Sequence, residues 1–205
     1  MKGQAMSSSP LPSCVVAVLR SKGPSTSLAA AVFGGLLLAG GSATAAPQIP
    51  AIYQATAEVQ GIPPSLFYAI AMQESGRFLE DDGRLKPWPW SLNVAGDAYY
   101  YDSMEEAWEA LRSFIEERPA HIGIGLVQVT WPYNPHLLRD PFTALEPSIN
   151  LGIGAQILRA CYDRLGDWWS AVGCYHSPTP KYATAYQERV RRRWQALWDG
   201  GRATS

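Results

Sequence analysis

After position 50, apolar residues recur mostly at helical spacing, and glycines and prolines mark the breaks between the runs. A first helix is predicted from about 50 to 60, stopped by Gly61 and the prolines at 63 and 64; Pro64 suits the first turn of a second helix. That helix carries Leu66, Phe67, Ile70 and Ala71 on one face and ends at Glu74-Ser75-Gly76. From 88 to 101 the period changes: Trp90, Leu92 and Val94 alternate with Ser91 and Asn93, and Ala95-Gly96-Asp97 supplies a turn, predicting a β-hairpin. Ser103 and Glu106 form a capping-box pattern opening a helix to about 117, with Met104, Ala107, Trp108, Leu111 and Ile115 as its buried stripe.

The segment 123 to 131 is too rich in glycine for a regular helix and too apolar for an exposed loop, so it is expected as irregular backbone running through or beside the core. A helix from about 146 to 165 follows, with Asn150 and Gly154 one turn apart on one face, and Gly166 ends it. Asp167 caps a short helix through Trp168, Trp169, Val172 and Tyr175. Pro178 and Pro180 break it before a last helix, 181 to 198, expected to bury Tyr182, Tyr186, Val190, Trp194 and Leu197. Its Arg191 to Arg193 run reads as a solvated face, with contact to an anionic polymer as the alternative. The predicted class is mainly α, α+β, with a small β-hairpin inserted among helices.

Against that pattern one residue is out of place. Glu74 lies three, four and seven residues after Ala71, Ile70 and Phe67, which puts a carboxylate on the apolar stripe. Desolvation penalises an ionised carboxylate, so such a group has a charged partner or a raised pKa. A carboxyl kept protonated near neutrality is what a general acid requires. A glutamate pointing to solvent at a frayed helix end is the alternative reading.

Residues 1 to 45 read as a signal peptide. Arg20 and Lys22 precede an apolar run from 28 to 38 that is short for a membrane span, and Ala43-Thr44-Ala45 offers a small-residue cleavage site. Met6 is an alternative start, and an uncleaved anchor the alternative to cleavage. Removing the segment takes Lys2, Arg20 and Lys22 with it and leaves 14 basic residues against 18 acidic, a net charge of −4. The domain from 46 to 205 therefore lacks the basic surplus expected of a nucleic-acid binder. Cys14 is lost with the signal, leaving Cys161 and Cys174, a pair expected to form a disulfide in an oxidising compartment; two buried thiols are the alternative. No phosphate loop, dinucleotide fingerprint or metal-ligand spacing among His121, His136 and His176 is present, and no cofactor is expected.

Four motifs in order, Glu74-Ser75, Gly125-Leu126-Val127-Gln128, Asn150 with Gly154, and Ala171-Val172-Gly173-Cys174-Tyr175, resemble the family 1 lytic transglycosylases, the soluble lytic transglycosylase-like domain. The segment from Pro87 to Val94, with Trp90 and Asn93, looks like the version found in transglycosylases of conjugative elements and secretion machines. Val127 stands where the family usually has Met, and His176 where it usually has Asn. The resemblance implies a lysozyme-like helical domain in the periplasm, acting on peptidoglycan glycan strands beside components of a conjugation or secretion machine. It implies cleavage of the β-1,4 bond between N-acetylmuramic acid and N-acetylglucosamine with a 1,6-anhydro product. Glu74 is then the single acid/base; Tyr175 supports it, Ser75 and Gln128 contact substrate or shape the cleft, and Trp90 and Asn93 bind substrate. Trp88, Trp131 and Tyr133, like Trp90, offer flat faces for sugars, and a place in the core is the alternative for each of them, as it is for Ser75, Gln128 and Tyr175. Two other readings stand beside this one: a hydrolytic lysozyme-type muramidase with Asp97 or Asp102 as second carboxylate, and a non-catalytic peptidoglycan-binding scaffold.

Overall fold

The computed structural model of the chain describes residues 48–81, 83–117, 121–133, 137 and 140–202. Residues 1 to 45, read above as a signal peptide and containing Cys14, lie outside them, as does His136. The described chain is mostly helical with a small antiparallel sheet: α1 (Ala51–Val59), α2 (Pro64–Ser75), β1 (Gly76–Leu79), β2 (Arg84–Pro87), β3 (Ser91–Val94), β4 (Asp97–Tyr100), α3 (Met104–Glu117), β5 (Ile122–Ile124), β6 (Val129–Trp131), a 3-10 turn (Thr143–Leu145), α4 (Pro147–Leu165), α5 (Trp168–His176) and α6 (Pro180–Arg202). No described helix is long and apolar enough to cross a membrane.

Helix α2 is the centre of the helical part. Leu66, Phe67, Tyr68, Ala69, Ile70 and Ala71 are all buried, so the helix is enclosed on every side where the sequence predicts a one-sided stripe. It packs between α1 and α6, and α5 packs against both α4 and α6. A side chain on Gly173 would meet Gln187 and Ala183, so glycine sets the close approach of α5 to α6. The caps hold the helix starts as the sequence predicts. Asp167 accepts from the Ser170 N–H at 2.7 Å, Ser103 Oγ accepts from the Glu106 N–H at 3.2 Å, and Glu106 reaches back to the N–H of Asp102 at 3.1 Å. Gly166 ends α4 in the left-handed region, φ 70°.

The strands form two sheets. The predicted hairpin β3–β4 pairs Leu92 with Tyr99 and continues through β5 and β6 into a four-stranded antiparallel sheet in the order β4-β3-β5-β6. The segment expected as irregular is thus two short strands joined by a tight turn at 125–128. Strands β1 and β2 form a second, separate hairpin that the sequence pattern does not predict. Tyr182, expected in the core, is 58% exposed, because it sits on the outer face of the first turns of α6. Cys161 on α4 and Cys174 on α5 form a disulfide with their Cα atoms 6.0 Å apart.

Candidate active site

Helix α2 delivers Glu74 to a cleft of about 400 Å³, whose other walls are Asn93, His121, Gly123, Gln128, Thr130, Tyr133, Tyr175 and His176. The helix stops at Ser75 because the backbone turns extended at Gly76, where a side chain would collide with the Met72 carbonyl and Leu85. Glu74 is thereby held at the junction of helix and sheet, half-buried, on the face it shares with Phe67, Ile70 and Ala71.

Burial pushes the Glu74 carboxyl up to about 7, against the opposing pull of a hydrogen bond donated by the Tyr186 hydroxyl and of the Arg189 charge. Tyr186 lies on α6 and is buried; its ring stacks on His176, with centroids 4.3 Å apart and planes 5° apart. The Tyr175 hydroxyl donates to the Val127 carbonyl at 2.5 Å. Both phenols are raised well above the usual range, first by burial and then by the Glu74 charge, so both remain protonated donors beside the acid. Burial and Arg189 lower His176, leaving its imidazole neutral at neutral pH.

The opposite wall depends on the turn between β5 and β6. Gly125 has φ +76°, and Gln128, also left-handed at +49°, is an uncommon non-glycine residue in that region. Asn150, buried on α4, clamps the turn: its Oδ1 accepts from the Val127 N–H at 3.0 Å, and its Nδ2 donates to the Ile124 carbonyl at 2.8 Å and the Ala144 carbonyl at 2.9 Å. Gly154, one turn on, has no room for a side chain against Val127 and the Tyr175 hydroxyl. Gln128 folds back over the turn, its Nε2 donating to the Gly125 carbonyl at 2.9 Å and to Ser91 Oγ at 3.1 Å. Its buried Oε1 has no hydrogen-bond partner among the described residues.

Of the residues singled out in sequence, Glu74, Asn93, Gln128 and Tyr175 line this cleft. Ser75 does not: it is 1% exposed, and its hydroxyl donates to the carbonyls of Leu126 at 2.7 Å and Ala71 at 3.2 Å, which ties α2 to the turn instead of meeting a ligand. Trp90 does not line it either; the half-buried indole packs edge-on against Trp88, with centroids 6.4 Å apart. Asn93 also fastens its own hairpin, accepting from the Gly96 N–H at 3.1 Å. Among the flat faces, Tyr133 lines the cleft and is 66% exposed, while Trp131 packs on the core. Asp97 and Asp102 are absent from the walls; Asp102 is 82% exposed and pairs with Arg77 at 3.3 Å. No group of three His, Cys, Asp or Glu side chains among the described residues has a geometry that could hold a metal ion.

Sequence reasoning missed Tyr186 as part of the site, reading it as core. The available signal was the one that exposed Glu74: a hydroxyl on a buried stripe requires a partner. What the arrangement offers chemically is one carboxyl, protonated up to about neutral pH, with a hydrogen bond from Tyr186 and a neutral imidazole nearby; Tyr175, expected to support Glu74, spends its hydroxyl proton on the Val127 carbonyl instead. Comparison with protein-family models, with curated proteins and with solved structures returns no match to this chain.

Proposed function

We propose that this chain is a peptidoglycan lytic transglycosylase with a lysozyme-like fold, exported to the periplasm, cutting the β-1,4 bond between N-acetylmuramic acid and N-acetylglucosamine. The observation that carries the reading is that Glu74 is the sole carboxylate among the described cleft residues, with its pKa raised to about 7. Hydrolysis by the usual route needs a second carboxylate on the other side of the scissile bond, and neither Asp97 nor Asp102 lines the cleft. A single acid/base suits an internal acceptor. Glu74 donates its proton to the leaving glycosidic oxygen as the C1–O bond breaks, and the sugar's N-acetyl group stabilises the cation. The carboxylate then takes the proton of the same sugar's C6 hydroxyl as that oxygen bonds to C1, closing the 1,6-anhydro ring and restoring the acid.

The neighbours fit these steps. The Tyr186 hydroxyl hydrogen-bonds the carboxylate formed after the first transfer. Asn93 and Gln128 line the cleft, and Tyr133 gives it a flat face for a sugar ring. A role beside a conjugation or secretion machine rests on the resemblance of the segment 87–94.

The test is the mass of the products from purified wall. Anhydro-muropeptides, one water lighter than their hydrated counterparts, are expected from the wild type, and none from a folded Glu74→Gln variant. Hydrated ends would favour the muramidase, and full activity in Glu74→Gln would overturn the assignment of the acid.

A further inference from the structure

Between α2 and α6 lies a second pocket of about 370 Å³ lined by Gln73, the residue before Glu74, and by Arg189, Arg192, Arg193 and Ala196. The four α6 residues fall at i, i+3, i+4 and i+7 and so share one helix face. The arginine run is thereby split. Arg191 turns away and lays its guanidinium 4.0 Å from the Trp169 ring centroid, whereas Arg189, Arg192 and Arg193 converge on the pocket. None of these three forms an ion pair with a described carboxylate. Like charges at i and i+4 destabilise a helix, and Arg189 and Arg193 stand in that relation. Arg192 and Arg193, beside Arg189 whose charge also acts on Glu74, make a local basic surplus around a concavity on a domain of net charge −4.

The pocket also has a fixed end and an amide. Arg189 is half-buried, with its guanidinium 5.4 Å from the Tyr186 ring centroid, so its position is set by the same phenol that touches Glu74. Gln73 adds an amide from α2, one residue before the acid. Planar guanidinium groups bind carboxylates with two parallel hydrogen bonds, and several of them around one concavity select for such a group.

We propose that Gln73, Arg189, Arg192 and Arg193 form an anion site that holds a carboxylate of the peptide stems of peptidoglycan while the glycan lies in the cleft. This rests on the wall-cleaving reading and deepens it: on a strand of otherwise uncharged sugars, the stems carry the negative charge. The favoured substrate is therefore glycan that still bears its acidic peptides.

The test uses the full protein and the double variant Arg192→Gln/Arg193→Gln. Both positions are exposed, glutamine keeps helix propensity, and Arg189 with its contact to Tyr186 is left intact. Free stem peptide released from wall by an amidase is titrated by calorimetry, beside the same peptide amidated at its carboxylates and beside inorganic phosphate. The wild type is expected to bind the free peptide at least tenfold more tightly than the amidated peptide or phosphate, and the double variant to lose that difference. In turnover, wild type is expected to prefer strands with free stem carboxylates over strands whose stem carboxylates are amidated at least fivefold, and the variant to cut both at the wild-type rate for amidated strands. Equal binding of phosphate, equal binding of the amidated peptide, or an unchanged preference in the variant would overturn the site. Peptide binding needs no turnover, so intact binding without anhydro products would overturn the transglycosylase reading and leave the site standing. Cleavage without peptide binding would do the reverse.

Discussion

A carboxyl group that holds its proton to about pH 7 in the fold and releases it near 4.5 in the unfolded chain ties stability to pH with a definite sign. Below the unfolded value both states are protonated and Glu74 contributes nothing. Between the two values the unfolded chain ionises first, so stability falls as pH rises, and above about 7 the full penalty stands. Its size is on the order of 3 kcal/mol. A glutamine at the same place carries no charge and still accepts from the Tyr186 hydroxyl. Glu74→Gln is therefore expected to melt several degrees above wild type at pH 8 and level with it near pH 4.5, measured by thermal unfolding across that range. An offset that does not change with pH would show that Glu74 titrates like a solvated carboxylate. On the proposed reading, catalytic competence at this residue is opposed to stability, which is the relation expected where a fold keeps an acid poised.

At the scale of elements, the turn at 125–128 depends on one side chain. Asn150 satisfies three backbone groups from α4, and Val127, which it holds, anchors the Tyr175 hydroxyl in turn. Asn150→Ala is expected to cost about 2–4 kcal/mol through the buried partners it abandons. The check is urea unfolding together with hydrogen exchange at the Val127 amide; rapid exchange there, with α1 still protected, would localise the loss to the turn. The same elements show what the chain disclosed beforehand. Long periodic segments such as α2, α4 and α6 were legible, as was β3–β4 from its alternation. Strands β1 and β2 were not, because neither has a buried face and Phe78 is 61% exposed, so no hydrophobic period marks them. Ile122, Gly123 and Ile124 are buried on both faces, which erases the alternation that would have identified β5. In the site, Glu74 stood out as polar where apolar was due, whereas Tyr186 matched the stripe and its polar tip was silent. Arg189 could be joined to Glu74 only by the packing of α6 on α2, across more than a hundred residues of chain.

At the scale of the whole molecule, the bridge between Cys161 and Cys174 closes a loop with a sequence separation of 13 and ties α4, which carries the turn clamp, to α5, which carries Tyr175 and His176. Chain-entropy arguments put such a closure at roughly 3 kcal/mol. Reduction is expected to lower the melting temperature and slow turnover, whereas the unreduced, denatured protein should titrate no thiol after removal of residues 1 to 45; two titratable thiols would refute the bridge. The cleft those helices face is bipartite. Glu74, Tyr175 and His176 come from the helices, and Asn93, Gly123 and Thr130 from the sheet, with Gln128 on the turn that joins β5 to β6. On the proposed reading, a change in the strands would alter which sugar decoration is gripped and leave the proton donor in place.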